Sequence, residues 1–187
     1  RVARGLTSLG PSYVKLGQFL GTRADLVGPE LAADLRHLQD RLPPFSMAEA
    51  RAAIEESLGG KLEDHFVEFG PPVAAASIAQ VHQAIVPRHG VVAIKILRPA
   101  IERKLAHEMA ALRFLARCIE FFSKRSRRLE PVQFIDTVAS AMERELDLRL
   151  EAGAAAEFRE VAEKDGYLTV PNIDWSRSSK RVMTLDW

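Results

Sequence analysis

Four short stretches of this 187-residue chain hold residue types that could do chemistry. The first is Val92-Ala93-Ile94-Lys95, a β-branched run that ends in a cation. Side chains alternate along a strand, so Ala93 and Lys95 share one face. An ammonium group among Val and Ile must meet an anion or reach water. Ala93 beside it is small enough to let a flat ring lie against the sheet. The second stretch is Lys15-Leu16-Gly17-Gln18. Glycine inside a helix costs about 1 kcal/mol relative to alanine, so Gly17 marks close approach by another surface, with Lys15 and Gln18 flanking it. The third is Glu145-Leu146-Asp147-Leu148-Arg149-Leu150-Glu151. On a regular helix Asp147 and Glu151 lie on one face, while Glu145 points nearly opposite to Asp147. All three carboxylates can serve one cation only if the helix is distorted. The fourth is the small-residue stretch Pro71-Pro72-Val73-Ala74-Ala75-Ala76-Ser77, read as a loop.

Each stretch has a plainer reading. Lys95 fits an edge-strand lysine reaching to solvent, and the alanines fit a turn chosen for packing. The carboxylates fit a solvated acidic face paired to Arg144 and Arg149. Lys15 fits a surface lysine beside a helix-packing glycine. Their order along the chain shifts the balance. Kinase lobes carry G-x-G-x-x-G-x-V before a hairpin, so that backbone amides cover the phosphates. Here Ala74, Ala76, Ala79 and Val81 stand at those positions, with alanine in place of every glycine. Alanine permits close approach but resists positive φ, so a stiffer loop is expected. A strand lysine that binds phosphate is also steadied by a carboxylate from a neighbouring helix.

The elements that must position these residues follow from the pattern. Pro11 opens a helical segment through about Leu26, and Glu30 to Gln39 forms another, stopped by Pro43-Pro44. Ser46 with Glu49 is a capping box that opens a helix ending at Gly59-Gly60. Ser77 to Val86 and Val91 to Leu97 are Val/Ile-rich and joined by Pro87-Arg88-His89-Gly90, which predicts a β-hairpin. Long helices are expected from about Pro99 to Lys124 and from Pro131 to about Lys164. Short extended pieces near Tyr167 to Val170 and Arg181 to Asp186 close the chain. Helices, hairpin, helices and strands in that order suit an α+β lobe with one antiparallel sheet.

Composition removes several classes. With 26 Lys and Arg against 25 Asp and Glu, the net charge of +1 gives no field that would draw nucleic acid. The single cysteine, Cys118, excludes an internal disulfide and a CxxC metal pair. The five histidines show neither HExxH nor HxxxH spacing. A reducing, cytoplasm-facing compartment is the expected setting. No apolar run is long enough to span a bilayer, and the opening residues, without an h-region or cleavage site, lead to no expectation of a signal peptide. Lacking an initial methionine, the chain reads as a piece of something longer.

In this order, Lys15-x-Gly17-Gln18, Ala74-Ala75-Ala76-Ser77, Val92-Ala93-Ile94-Lys95 and Glu145-x-Asp147 with Glu151 beyond resemble the signature of the UbiB/AarF atypical kinase family. The resemblance covers nearly the whole chain. It implies a kinase-like amino-terminal lobe, with an antiparallel sheet and an αC-type helix, over residues 66–187. A helical extension carrying the KxGQ motif would fill residues 1–65, and the carboxy-terminal lobe would lie outside the chain. Lys95 would hold the phosphates of ATP or ADP and pair with Glu151 in one buried contact. Ala74, Ala75, Ala76 and Ser77 would form the phosphate loop, Ala93 would face the nucleotide, and Asp186 would begin the hinge. Lys15 and Gln18 would point into the cleft, with Lys15 meeting Glu145 and Asp147. No catalytic-loop or DFG motif occurs, so ligands for Mg2+ are expected outside this chain. The family acts in ubiquinone or related isoprenoid-quinone synthesis at the cytoplasmic membrane, which implies quinone-lipid precursors and quinone-biosynthesis proteins as partners. The basic run Lys124 to Arg128 could touch anionic lipid at the inner face of that membrane. A non-catalytic, pseudokinase-like regulator or lipid-binding scaffold is the alternative.

Overall fold

Period-two alternation and the turn between the Val/Ile-rich runs produce the hairpin that the sequence predicts. The computed structural model describes residues 2–36, 38, 43–124, 126–166 and 168–187. Its antiparallel sheet has the order β1 (Glu68–Ala75), β2 (Ala79–Val86), β3 (Gly90–Leu97) and β4 (Val182–Asp186). The hairpin between β2 and β3 keeps regular register from Ala79 opposite Leu97 to Val86 opposite Gly90.

β1 departs from expectation, because most of the proline- and alanine-rich stretch read as a loop is strand. Proline cannot donate to a ladder and is tolerated at an edge or a bulge. β1 satisfies both conditions. It is an outer strand, and its register shifts between Phe69 and Pro72 and again between Pro72 and Ala74. Only Ala76 to Ile78 remain between the strands.

One face of the sheet is sealed. Val92, Ile94 and Ile96 of β3 join Ala84, Val86 and Val182 in a core with Ala50, Ala53 and Ile54 of helix α5 (Met47–Leu58). The capping box that opens α5 is present: the Glu49 amide donates to Ser46 Oγ at 3.2 Å, and the Ser46 amide donates to Glu49 Oε2 at 2.9 Å. A short helix absent from the sequence reading, α6 (Leu62–His65), adds Leu62 to the same core.

The earlier helices are α1 (Val2–Leu9), α2 (Pro11–Gly21), α3 (Ala24–Val27) and α4 (Pro29–Arg36). The segment expected to run unbroken to Leu26 ends at Gly21, where the Thr22 hydroxyl takes the Phe19 carbonyl at 2.7 Å. The end of the helix expected through Gln39 lies outside the described residues. After the hairpin come α7 (Ile101–Phe122), α8 (Pro131–Glu145) and α9 (Leu148–Asp165). A single helix was expected from Pro131 to Lys164, but the chain breaks at Leu146-Asp147. Asp147 adopts extended backbone, φ −118° and ψ 93°, and its carboxylate accepts the Arg149 amide as an N-cap. Leu168 to Val170 form no strand. Instead Ile173 makes a single bridge to Leu185.

The chain divides into two compact units, one of residues 1–41 and 100–143 and one of residues 42–99 and 144–187. This differs from the expected division at residue 65. α5 shares the sheet's core and therefore belongs with it, while α7 falls with the amino-terminal helices.

Gly17 behaves as its position in a helix suggested. A β-carbon there would lie 2.8 Å from Leu6 Cδ1 and closer still to Leu38 Cδ1. Gly17→Val should therefore destabilise the helical unit by about 1–3 kcal/mol through overpacking. Thermal unfolding measures this, and an unchanged Tm would contradict the close approach of α1 and α4's flank to α2.

Candidate functional site

Pairing register defines the open face of the sheet. Residues directly opposite each other share a face, so Ala74, Val81, Lys95 and Met183 form one row across all four strands. Ala93, with Gln83 and Leu185 beside it, forms the neighbouring row on that same face. The expected sharing of a face by Ala93 and Lys95 is thus present, and Ala74 joins them.

Lys95 Nζ meets Glu151 Oε1 at 2.7 Å and Oε2 at 2.6 Å. Glu151 lies in the first turn of α9, where the helix dipole favours an anion. Two contacts fix that turn: the Leu148 amide donates to the Lys180 carbonyl at 2.9 Å, and Leu148 and Ala152 are buried. The pair was expected to be buried. It is not, for the Lys95 and Glu151 side chains are 27% and 50% exposed. Solvent screens such a pair, so its value lies in aiming the ammonium group more than in stability.

The other acids have different surroundings. Because the helix breaks, Asp147 precedes α9 and does not share a helical face with Glu151. Its carboxylate accepts from Arg149 Nε at 2.9 Å and Nη2 at 2.6 Å. Hydrogen bonding from Arg149 holds the Asp147 carboxyl below its ordinary pKa. This matches the plainer reading of a local Arg149 pair. Glu145 ends α8 and is exposed. Lys15 and Gln18 are half-buried on α2, in the helical unit, whereas Glu145 and Asp147 belong to the sheet unit.

Asp186 is not brought to the face of Lys95. It pairs with Val92 on the opposite side of the sheet, its amide donates to the Asn172 carbonyl at 3.0 Å, and its carboxylate meets His89 Nε2 at 2.7 Å. A cleft of about 470 Å³ is lined by Asp186, Trp187, Arg159 and Leu168 but not by Lys95, Glu151 or Ala74. Ala75 lies opposite Gln80, also on the sealed side, and Ser77 is buried in the turn. None of Ala74 to Ala79 takes a positive φ, in keeping with alanine's resistance to it.

Three polar residues behind the turn were not singled out by the sequence. Gln80 Oε1 accepts from the Phe45 amide at 3.0 Å, and Gln80 Nε2 lies 2.7 Å from His82 Nε2. His82 Nδ1 lies 2.9 Å from the Gly70 carbonyl, and its ring stacks on Phe69 at 4.5 Å. An amide NH2 only donates and a carbonyl only accepts, so His82 is neutral with its proton on Nδ1. The third is Arg98, which binds the Ala76 carbonyl through Nε at 3.1 Å and Nη2 at 2.9 Å. Burial pulls its pKa below the ordinary value. The available signal was polar residues at the even, core-facing positions of a strand and an arginine directly after β3.

An antiparallel sheet that turns a lysine toward the first turn of a helix, beside a small-residue turn, defines the amino-terminal lobe of a kinase-like protein. The family model described as ABC1 atypical kinase-like domain matches residues 37–187. The chain belongs to that family. Across its whole length it is 39% identical to a protein of Marinobacter nauticus and 37% identical to one of Pseudomonas putida, each named "Probable protein kinase UbiB". It covers 34% and 35% of those two proteins, so the chain spans about a third of the curated relatives it matches. Among solved structures it resembles Rv3197 of Mycobacterium tuberculosis, determined as a complex with erythromycin. That match has a TM-score of 0.63 and 26% identity, over 78% of this chain and 36% of the other.

His82 gives the site a pH signature. Desolvation lowers its pKa in the folded chain, while the unfolded chain keeps a value near 6.5. Below that value the unfolded state binds more protons, so folding stability present at neutral pH is lost as pH falls through 6.5 toward the lowered folded value. Denaturant unfolding across pH 5 to 8 should show this decline, and His82→Gln should flatten it. An identical slope in the variant would assign the decline elsewhere.

Proposed function

We propose that this chain supplies the ATP-binding half of an atypical kinase or ATPase that acts in ubiquinone, or related isoprenoid-quinone, biosynthesis. The observation that carries the proposal is the fork from Glu151 to Lys95 on the open sheet face, in register with Ala74. An ammonium group held this way presents its remaining donor capacity to phosphate oxygens, and Ala93 leaves room for a flat base beside it. Membership of the ABC1 atypical kinase-like family, and relatives named as kinases, support the same reading. ATP or ADP is the ligand. Among the described residues no group of three or more His, Cys, Asp or Glu fits a metal ion. Mg2+ is proposed to accompany ATP, with ligands outside this chain, because the sequence carries no catalytic-loop or DFG motif.

Quinone-lipid precursors and other quinone-biosynthesis proteins are the proposed partners, and nucleic acid is not. No described helix is long and apolar enough to cross a membrane. A peripheral contact with the inner face of the cytoplasmic membrane is supported by the end of α7. Phe114, Phe121 and Phe122 are exposed there beside Lys124, Arg127 and Arg128, which suits an anionic lipid surface. The alternative, a non-catalytic regulator or scaffold, draws on the absence of positive φ in the alanine turn, which departs from glycine-rich phosphate loops.

Nucleotide binding by the full-length protein tests the proposal. Lys95→Ala should weaken ATP at least about tenfold, the size of a lost charge-assisted hydrogen bond, and Glu151→Gln should weaken it less. Equal affinity in Lys95→Ala and the parent protein would refute the nucleotide site. Phosphate release with turnover would favour the enzyme, and binding without turnover the scaffold.

A further inference from the structure

The corner where α7 gives way to α8 joins an exposed apolar surface to a cleft. Three contacts tie it together. Arg127 Nε donates to the Glu120 carbonyl near the end of α7 at 2.5 Å, the Val132 amide of α8 donates to Glu120 Oε1 at 3.2 Å, and the hydroxyls of Ser123 and Ser126 lie 2.8 Å apart. Phe121 and Phe122 end α7 with 74% and 81% of their surface exposed. Leu129 is exposed as well, and the exposed cations Lys124 and Arg128 lie between these residues in the chain. Between the end of α2 and the start of α8 is a cleft of about 330 Å³, at the small end of ligand sites, with Phe19, Leu129, Phe134 and Val138 in its wall. Leu129 belongs to both features, so the cleft adjoins the apolar corner.

Several polar groups of this cleft are satisfied within the chain. The Thr22 hydroxyl donates to the Phe19 carbonyl at 2.7 Å, the Thr137 hydroxyl donates to the Gln133 carbonyl at 2.9 Å, and Arg23 Nη2 meets Asp25 Oδ2 at 2.7 Å. The apolar wall then has most to gain, by contact with hydrocarbon in place of water. Glu130 also lines the cleft, and its carboxylate disfavours a second anion there. An anionic group is favoured instead at Lys124 and Arg128. An amphiphile with a negative head and an apolar tail meets both demands. We infer that the cleft receives one hydrocarbon chain of an anionic membrane phospholipid, whose head group rests on Lys124 and Arg128. This rests on the membrane contact proposed above and goes a step beyond it. Insertion at the surface brings lipid to Phe122, whereas capture of a chain also brings it to Phe134.

The test uses the full-length protein and vesicles of phosphatidylcholine mixed with phosphatidylglycerol brominated along its chains. Bromine quenches the fluorescence of an indole that it touches. Phe122→Trp and Phe134→Trp are each read against the parent protein, which already carries Trp175 and Trp187. Both introduced indoles should be quenched. Adding Val138→Phe, which fills the cleft, should abolish quenching in Phe134→Trp and leave it intact in Phe122→Trp. If Val138→Phe does not fold, Thr137→Phe, at an exposed lining position, should have the same effect. Quenching in Phe122→Trp but not in Phe134→Trp would overturn chain capture and leave the surface contact standing. Quenching in Phe134→Trp that survives both filling variants would overturn it too, by placing the lipid outside the cleft. Equal quenching by vesicles of brominated phosphatidylcholine alone would overturn the role given to Lys124 and Arg128. Quenching in neither tryptophan variant would instead overturn the membrane contact itself.

Discussion

The position of Glu151 depends on where α9 begins, and the rest of the site depends on that carboxylate. A continuous helix from Pro131 would have carried the acids of residues 145 to 151 around its circumference. The break at Leu146-Asp147 resets the phase. Asp147 leaves the helix to cap it, Leu148 is tied to the Lys180 carbonyl, and Glu151 falls in the first turn. There it satisfies two demands at once: an anion favoured at a helix amino-terminus, and a partner for the one cation on the open face of β3. The same acidic run thus yields a cap and an ion-pair partner, separated by one helical turn.

The alternation of β3 supplies the complementary constraint. Val92, Ile94 and Ile96 are fully buried against α5, so β3 cannot slip by one residue without exchanging three core side chains for Ala93 and Lys95. Hydrophobic packing on one side therefore fixes the lysine on the other. This explains how a half-exposed salt bridge, weak as a source of stability, can still be well placed.

Much of this was legible in the sequence, and what was not has identifiable causes. The hairpin, the capping box and the shared face of Ala93 and Lys95 follow from local pattern, and they form as expected. So does the contact between Lys95 and Glu151, expected from the family resemblance. The break before α9 was hidden because Glu145 to Glu151 is helix-compatible at every position, and only tertiary anchoring of Leu148 selects the N-cap. Pro71-Pro72 read as loop because two adjacent prolines exclude a central strand, yet an edge strand with bulges admits them. Arg98, Gln80 and His82 went unnoticed because their partners are backbone carbonyls and amides distant in sequence, such as those of Phe45 and Gly70. Asp186 was placed at the hinge by analogy, but register turns its carboxylate to the far side of the sheet.

The doubled proline of β1 has a protective effect on the lobe as a whole. A free sheet edge is a template on which a second chain can add a strand, and a nascent or partly unfolded lobe would be exposed to that hazard. Pro71 and Pro72 offer no N–H groups, and the register shifts on either side of Pro72 twist the strand away from flatness. The outer margin of the sheet thereby offers fewer donors to which another copy could add a strand.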